Sequence, residues 1–521
     1  MRLAVLALLL APSGVEGLFA DSKYLVTDLK ADRKSSCVIV AADEFADACD
    51  RLLAHREKRG HTVAVVRASD VFRAFGAGKP SPDALAAFSK HAHARWSTRF
   101  LLLAGDVERL PAHVRRSEYQ TTRYPNDEEL GTDHFIAEPG VAVGRFPADT
   151  PAELAAMIAK TVDYETRSVP GPWQRRISFI TGEGGFGTFI DGFIEAQFTK
   201  IVADTIPAPF DIEVAYAKPS SPYSPHPTRF NDCAIRLLNE APLFYVYVGH
   251  GKRSGCDTIE FKGEAYPILE TAHVPRVRVR GHGPVMVVIA CNTGEYDGKT
   301  SDCLGEELMK SPTGPVAFIG GSRITQPYGN AVLGRELIGA FLQEKPTIGE
   351  ALFAAKGRAV GADDSDFRKT ADRLAGTMQG GDSLEPMRKD VALHYNLLGD
   401  PALSLRRPDA LEVAAKQDGR RVRVSGRAPI GDGRALVSLD CPREKFLRPP
   451  GKVTEIAQFA ERYRLANDKS VARAEVAVTG GAFEVEFEVP AGTPKGRHWV
   501  RAFAWSDSGA AAGAKELVLG E

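Results

Sequence analysis

Two apolar runs near the middle of the chain constrain its fold more than any other feature. The runs span residues 243–248 and 285–289, and in neither do apolar and polar residues alternate. Both are rich in β-branched or aromatic residues and are bounded by glycine or proline, which is typical of strands covered on both faces of a parallel sheet. We therefore expect an α/β fold in which helices flank a mostly parallel sheet.

A reactive side chain follows each run. His250 stands between two glycines after the first run, and Cys291 follows the second. Ligands of parallel sheets bind beyond the carboxyl ends of the strands, so both side chains should face one crevice. A thiolate is a nucleophile and an imidazole can act as acid and base, so the pair predicts a cysteine hydrolase. The backbone N–H groups of Gly251 and Cys291 would then form an oxyanion hole.

Strand and helix patterns alternate on both sides of this pair and then give way to strands. From Cys37 to about residue 405 the alternation is that of βαβ units. Beyond residue 411, short alternating segments between glycine and proline turns indicate an immunoglobulin-like β-sandwich. We predict a signal peptide at 1–20, an N-terminal α/β subdomain at 21–170, a catalytic α/β subdomain at 171–406 and the sandwich at 410–521.

The N-terminus has the residue order of a secretory signal. Met1 and Arg2 precede an apolar stretch at 3–10, and small or polar residues follow it. No later run approaches the roughly 20 apolar residues of a membrane span, so we expect a secreted or periplasmic protein. The alternative is that these residues begin a strand or helix of the mature fold.

Charge and cysteine content narrow the function further. The formal net charge is −1 and neither sign dominates a long block, so no nucleic-acid partner is expected. The seven cysteines show no CxxC spacing of the kind that holds a structural metal. Because their number is odd, at least one is unpaired within the chain, and Cys291 is the candidate for that free thiol.

Five short segments carry a resemblance to a known family. In chain order they are residues 101–106, 143–146, 247–251, 289–294 and 397–401. A hydrophobic block with His-Gly, followed by a second block with Ala-Cys, resembles the caspase-like superfamily of cysteine peptidases. The complete set is most similar to the gingipain family. The resemblance covers about residues 37–405, and gingipains also carry an immunoglobulin-like domain directly after the catalytic part.

The resemblance implies a cysteine endopeptidase that acts on proteins or peptides. Cys291 would attack the scissile carbonyl and form a thioester acyl-enzyme, with His250 as acid and base and with Gly251 and Cys291 holding the oxyanion. The family requires no cofactor for this chemistry, although the resemblance allows calcium. It implies nothing about the oligomeric state.

Substrate preference and the third catalytic residue also follow from the resemblance. Gingipains cleave after Arg or Lys, and Glu153 lies near the place of the acid that selects them. Glu153 also stands at a predicted helix start, where an acid favours the helix dipole. The family places a catalytic acid shortly before the strand at 143–146; Gly140 takes the aligned position here, so the nearest acid, Glu138, is the candidate. A surface role is the alternative for Glu138.

Three other functions compete with the peptidase. Ser322 follows a strand and two glycines, but no G-x-S-x-G elbow surrounds it. A metal enzyme would have to use His250, His273, His282 and Cys256, whose spacing matches no compact site. The non-enzymatic alternative is a secreted binding or adhesion protein on a catalytically silent peptidase fold. The presence of a histidine and a cysteine at two consecutive strand ends favours the peptidase.

Overall fold

The computed structural model describes most of the chain. It covers residues 22–115, 117, 119, 130–132, 140–183, 205–279, 281–343, 347–378, 383–448, 450–451 and 453–520. The predicted signal peptide at 1–20 and the candidate residue Glu138 lie outside the described residues. Most of a helix predicted at 189–206 lies outside them as well.

The strands of the α/β part are short and numbered in chain order. They are β1 (Cys37–Ala41), β2 (Val63–Arg67), β3 (Phe100–Ala104), β4 (His113–Arg115), β5 (Leu130–Thr132), β6 (Ala142–Phe146), β7 (Arg176–Thr181), β8 (Asp211–Tyr216), β9 (Phe244–Val248), β10 (Gly251–Lys252), β11 (Gly255–Cys256), β12 (Thr258–Phe261), β13 (Glu264–Pro267), β14 (Val285–Ile289), β15 (Ala317–Gly321) and β16 (Tyr395–Leu398).

Helices of the α/β part alternate with these strands. They are α1 (Asp50–Lys58), α2 (Ala68–Phe75), α3 (Pro82–Trp96), α4 (Pro151–Thr166), α5 (Phe230–Asn239), α6 (Leu304–Lys310), α7 (Pro327–Gln343), α8 (Ile348–Val360), α9 (Asp366–Met378) and α10 (Glu385–His394). Proline begins several of them, including α4 and α7, because its fixed φ suits the first helical position and its missing N–H costs nothing there.

Ten of the strands form one sheet that runs through the whole α/β part. Their order is β2-β1-β3-β6-β16-β15-β14-β9-β7-β8. The sheet is mostly parallel, as predicted, but β16 pairs in parallel with β6 and antiparallel with β15. The two halves of the sheet therefore run in opposite directions. The carboxyl ends of β9 and β14 lie at one edge, and those of β3 and β6 lie at the other.

Both faces of the central strands are covered, as the unbroken apolar runs predict. On β14, Met286 and Val288 belong to one hydrophobic cluster, whereas Val285 and Val287 belong to the cluster on the opposite face. All four side chains are almost fully buried. Complete burial of such a side chain contributes roughly 1.5–3 kcal/mol to the stability of the fold. A polar side chain would lose this contribution, so the first polar residues come after the strand ends.

The C-terminal part is antiparallel except for one short pair. Its elements are β17 (Asp409–Ala410), β18 (Glu412–Asp418), β19 (Arg421–Arg427), β20 (Gly433–Asp440), α11 (Ile456–Asn467), β21 (Ser470–Val478), β22 (Ala482–Glu488), β23 (Gly496–Ser506) and β24 (Gly509–Leu519). They form a five-stranded sheet, β17-β24-β23-β20-β21, and a three-stranded sheet, β18-β19-β22. Apolar residues from both sheets share one core. These features agree with the predicted immunoglobulin-like sandwich.

Within the described ranges, no helix combines the length and the apolar composition that crossing a bilayer requires.

Candidate active site

The register of two neighbouring strands brings His250 and Cys291 together. β9 and β14 are parallel, and Val248 pairs with Ile289 at their carboxyl ends. His250 and Cys291 each lie two residues beyond that pair. Neighbouring strands are about 4.8 Å apart, so the two loops leave the sheet side by side. Both residues line the same crevice, as the sequence predicts.

A buried phenol fixes the loop that carries His250. The Tyr247 hydroxyl donates to the His250 carbonyl oxygen at 2.8 Å and accepts from the Asp257 N–H at 3.0 Å. Tyr247 is fully buried at the end of β9. Directly after His250, Gly251 pairs with Cys256 in the two-stranded β10–β11 ribbon. The backbone on both sides of His250 is thus held while its side chain is exposed to solvent.

Both glycines that flank His250 are required by close packing. A Cβ on Gly251 would lie 2.4 Å from the Cys291 carbonyl oxygen and 2.8 Å from the Ala290 Cβ. A Cβ on Gly249 would lie 2.6 Å from the Tyr247 hydroxyl. The backbone of Gly251 therefore lies directly against the loop of Cys291. The two residues predicted to form an oxyanion hole are therefore close along the backbone.

Cys291 is more exposed than five of the six other thiols. It is half-buried at the crevice, whereas five other cysteines are buried and Cys233 is partly buried. Burial in apolar surroundings raises the pKa of all six other thiols, which are Cys37, Cys49, Cys233, Cys256, Cys303 and Cys441. A raised pKa keeps a thiol protonated and unreactive at neutral pH. None of the seven is in a disulfide.

A tight turn follows Cys291 at once. Asn292 has a φ of 55°, in the left-handed region that asparagine tolerates better than most residues. The Asn292 Nδ2 donates to Glu295 Oε2 at 2.6 Å, and the Thr293 N–H donates to the Cys291 carbonyl oxygen at 2.7 Å. These bonds reverse the chain directly after β14, so Cys291 stands at the tip of the strand.

The structure adds an acidic residue to the same edge that the sequence analysis missed. On the other side of β9, Thr181 at the end of β7 pairs with Val248. Glu183 lies two residues beyond Thr181 and is exposed. Glu183, His250 and Cys291 thus occupy equivalent positions after three adjacent strands. The sequence signal was the same for all three, namely a titratable side chain two residues after a strand, but the adjacency of β7 and β9 was not apparent.

The resemblance indicates two other acids, and the structure describes one of them. Glu138 lies outside the described residues, so its place relative to His250 stays a prediction. Glu153 is described, and it caps its own helix: its Oε2 accepts from the Thr150 N–H at 3.1 Å and from the Asp149 N–H at 2.8 Å. The described residues that line the crevice do not include Glu153.

The residues of the competing functions do not converge. Ser322 is fully buried, and its N–H donates to the His394 carbonyl oxygen. His273 accepts from the Glu270 N–H at 3.0 Å, and His282 stacks on Trp173 with ring centres 3.8 Å apart. Among the residues that the structure describes, neither histidine joins His250 or Cys256 in a group that could hold a metal ion.

One acidic cluster offers several carboxylates close together. Oxygens of Asp106, Asp149 and Asp302 lie within 4.8 Å of one another. Carboxylates suit calcium, but the Lys310 ammonium already lies 2.6 Å from Asp149 and 2.5 Å from Asp302. Burial and the neighbouring Asp106 raise the pKa of Glu306 to about 8, so this acid is largely protonated at neutral pH. Lys310 thus supplies a positive charge to two of the three carboxylates.

The cluster also lies far from the crevice. Asp106 and Asp149 follow β3 and β6, whose carboxyl ends are at the opposite edge of the sheet from those of β9 and β14. The cluster and Cys291 are therefore on opposite sides of the α/β part.

Comparison with known proteins agrees with the fold and with the resemblance. The structure is similar to the crystal structure of the Arg specific cysteine proteinase gingipain R (RgpB), with a TM-score of 0.52 at 15% identity over 94% of this chain and 98% of that one. It is also similar to a structure titled only as that of a protease, with a TM-score of 0.53 at 14% identity over 94% and 97% of the two chains. No curated protein matches the sequence.

The likeness to solved structures at such low identity shows the fold, and the sequence itself shows the family. Residues 30–406, which contain the ten-stranded sheet and both His250 and Cys291, match the family described as peptidase family C25. The chain therefore belongs to peptidase family C25, the gingipain family of cysteine peptidases.

Proposed function

We propose that the chain is a cysteine endopeptidase in which Cys291 is the nucleophile and His250 is the general acid and base. Membership of a peptidase family implies protein substrates. The pairing of Val248 with Ile289 carries the assignment of residues, because it brings the two reactive side chains to one crevice. The alternative that the experiment must distinguish from a peptidase is a catalytically silent binding protein.

The reaction follows from the positions of these groups. The Cys291 thiolate attacks the scissile carbonyl carbon, and the electron pair of the C=O bond moves to oxygen. The N–H groups of Gly251 and Cys291 stabilise that oxyanion. The intermediate collapses to a thioester while the His250 imidazolium protonates the leaving amine. Neutral His250 then removes a proton from water, which attacks the thioester and releases the carboxylic acid and the thiol.

Peptide turnover tests this assignment. We would assay fluorogenic peptides with Arg, Lys, Asn, Asp or an apolar residue at P1 against the wild type, Cys291→Ala and His250→Ala. Cys233→Ala is the matched control, since Cys233 is the only other thiol among the described residues that is not fully buried. We expect turnover by the wild type and the control alone. A folded wild type that cleaves none of these peptides, before and after limited proteolysis, would favour the binding protein.

We assign the third catalytic role to Glu183. A carboxylate beside His250, on the side away from Cys291, would orient the imidazole and stabilise the imidazolium. Glu183→Gln should therefore lower kcat by about 10- to 100-fold with little change in KM. Glu138→Gln is the matched comparison, because Glu138 is the acid that the family resemblance indicates. A loss of activity in Glu138→Gln alone would reverse the assignment.

Basic P1 specificity is a proposal from the family. The related gingipain R is named as Arg specific, and we extend Arg or Lys at P1 to this chain on that resemblance. The ends of β9 and β14 contribute Val248 and Ile289 to the crevice, which suit the aliphatic stem of such a side chain. The peptide panel decides the point: a preference for an apolar or acidic P1 residue would contradict the proposal.

Export and metal independence are two further parts of the proposal. Residues 1–20 should be removed as a signal peptide, so the N-terminus of protein recovered from the periplasm or medium should lie near residue 21. Retention of Met1 in cytoplasmic protein would contradict export. Thiol chemistry needs no metal, so we expect EDTA to leave kcat unchanged. A loss of turnover that calcium restores would show that calcium has a role.

A further inference from the structure

Cys291 has a second neighbour on the side away from His250. The segment after β15 lies beside the loop after β14, and within it Thr325 reaches the sulfur. The Thr325 N–H donates to the Cys291 Sγ at 3.3 Å. The Thr325 hydroxyl oxygen and carbonyl oxygen each lie 3.6 Å from the same sulfur. Thr325 is buried, so water does not compete strongly for these contacts.

We propose that Thr325, held in place by Asn330 and Tyr395, stabilises the Cys291 thiolate from the side opposite His250. The inference rests on the proposed role of Cys291 as nucleophile. Thr325 touches the reacting sulfur, whereas Asn330 and Tyr395 act through Thr325 and are positioning residues.

The direction of the hydrogen bonds leaves the threonine hydroxyl free to donate to sulfur. The Tyr395 hydroxyl donates to Asn330 Oδ1 at 2.9 Å, and Asn330 Nδ2 donates to Thr325 Oγ1 at 2.8 Å. An amide whose oxygen accepts from Tyr395 must present its NH2 group to Thr325. Thr325 Oγ1 is therefore an acceptor from Asn330, and its own hydrogen can turn toward the Cys291 Sγ.

The start of helix α7 acts in the same sense. Pro327 is its first residue, and the Asn330 N–H donates to the Gln326 carbonyl oxygen at 2.9 Å, so Thr325 lies directly before the N-terminus. The N-terminal end of a helix carries partial positive charge, which favours an anion within the first turn. Both the Thr325 N–H and this dipole favour the thiolate over the thiol. The Thr325 carbonyl oxygen, in contrast, can accept from the protonated form.

Other charged groups around Cys291 are already paired or lie on the His250 side. Arg323, on the same segment as Thr325, forms an ion pair with Asp297 at 2.5 Å. Glu295 accepts from Asn292. Burial raises the pKa of the Tyr395 phenol, which therefore stays neutral. Among the described residues, His250 after β9 and Glu183 after β7 lie on the side of Cys291 away from Thr325. Substitution of His250 therefore separates its influence on the thiolate from that of Thr325.

Alkylation of Cys291 by iodoacetamide measures thiolate content without peptide turnover. We would follow the rate at the Cys291 peptide by mass spectrometry from pH 5 to pH 10. The variants are Thr325→Val, Asn330→Ala and Thr325→Ser, each with His250 intact and with His250→Ala. Thr377→Val, an exposed change on α9, is the matched control. Thermal melting establishes that each variant is folded.

We expect Thr325→Val and Asn330→Ala to alkylate about 3- to 10-fold more slowly than the wild type near pH 6, because a smaller fraction of the thiol is ionised. The rates should converge near pH 10. Thr325→Ser should behave like the wild type, and the difference should persist in the His250→Ala background. If Thr325→Val fails to fold, Asn330→Ala tests the same contact.

Unchanged pH profiles in folded Thr325→Val and Asn330→Ala would overturn the inference and leave the contact as packing. The result does not depend on turnover. A wild type without peptidase activity whose alkylation still responds to Thr325 would contradict the proposed function while supporting the effect of Thr325 on the thiol.

Discussion

Adding a single methyl group at Gly251 should lower catalytic activity while the protein still folds. The Gly251 Cα faces the Cys291 carbonyl oxygen, the Ala290 Cβ and the Thr293 Cγ2, all within 3 Å of where a Cβ would lie. Gly251→Ala must push the loops of Cys291 and His250 apart. Because the Gly251 N–H is a proposed oxyanion donor, we expect kcat to fall by about 100-fold or more.

Iodoacetamide should still alkylate Cys291 in Gly251→Ala, since that reaction needs no oxyanion hole. Gly357→Ala is the control, because a Cβ on this helical glycine would meet no atom within 4 Å. Steady-state kinetics on the best peptide of the P1 panel measure the effect. Wild-type kcat in Gly251→Ala would exclude this backbone as part of the oxyanion hole.

Single residues of the site differ in how well the sequence predicts them. His250 and Cys291 could be predicted because each ends an apolar run, and the physical rule for parallel sheets then brings them to one edge. Glu183 obeys the same rule, because it follows β7. The sequence does not reveal, however, that β7 lies next to β9 in the sheet. Thr325 could not be predicted at all, since its contact with sulfur depends on the path of a loop after β15.

At the scale of elements, the existence of strands was predictable and the direction of one was not. The apolar runs of β1, β3, β9, β14 and β15 identify them in the sequence. β16 is shorter and includes the polar Asn396. It lies between β6 and β15 and runs parallel to the first and antiparallel to the second. Strand direction depends on the route of the preceding chain, here through α10, which hydrophobic pattern does not encode. This reversal places the acidic cluster and Cys291 at opposite edges.

The outermost strand of the sheet, β8, pairs on its outer side with a side chain instead of with another strand. β8 is the last strand, and Asn467 at the end of α11 imitates a neighbouring strand: its Oδ1 accepts from the Val214 N–H at 2.8 Å and its Nδ2 donates to the Val214 carbonyl oxygen at 3.1 Å. Asn467→Ala should leave both backbone groups unpaired and cost about 1–3 kcal/mol of unfolding free energy.

Hydrogen exchange locates that effect. The Val214 amide should exchange faster in Asn467→Ala, whereas amides of β9 and β14 should keep their protection. Asn467→Asp retains the acceptor and loses the donor, so its Val214 amide should remain partly protected. Equal exchange at Val214 in the wild type and Asn467→Ala would show that the contact contributes nothing to the edge.

At the scale of the whole molecule, charged residues join the sandwich to the peptidase part. Arg501 on β23 forms an ion pair with Asp211 on β8 at 2.8 Å. Arg443, after β20, donates to the carbonyl oxygens of Pro207 and Phe210, each at 2.8 Å. A backbone carbonyl that is covered by protein cannot bond to water, so it would lose its partner if the arginine moved away. These contacts therefore hold the sandwich against the edge of the sheet at β8. β8 neighbours β7, the strand that leads to Glu183.

A second buried network ties the two ends of the α/β part together. Arg56 on α1 is fully buried, and it lies 2.6 Å from Glu165 on α4 and 2.7 Å from Asp400 after β16. His55 Nε2 lies 2.6 Å from Glu165, whose other oxygen accepts from the Ser404 N–H at 2.7 Å. Removing one partner of such a network leaves an uncompensated buried charge, which typically costs about 3–5 kcal/mol.

This network predicts how stability changes with pH. Burial alone would raise the pKa of Glu165, but its bonds to His55, Arg56 and the Ser404 N–H outweigh burial and lower it to about 2. In the unfolded chain the pKa of a glutamate is about 4.3. The ionised Glu165 therefore stabilises the folded protein fully above about pH 4.3. This contribution, about 3 kcal/mol in total, is lost as the pH falls from about 4.3 toward 2.

Urea unfolding at pH 7, 4 and 3 measures this dependence. Glu165→Gln should be less stable at pH 7, because Arg56 loses a charged partner, and its unfolding free energy should fall less between pH 4 and pH 3 than that of the wild type. Glu153→Gln is a matched control on the same helix, since the Glu153 carboxylate is more exposed and bonds only to backbone N–H groups at the helix start. A Glu165→Gln variant that loses stability between pH 4 and pH 3 as steeply as the wild type would show that other carboxylates control acid unfolding.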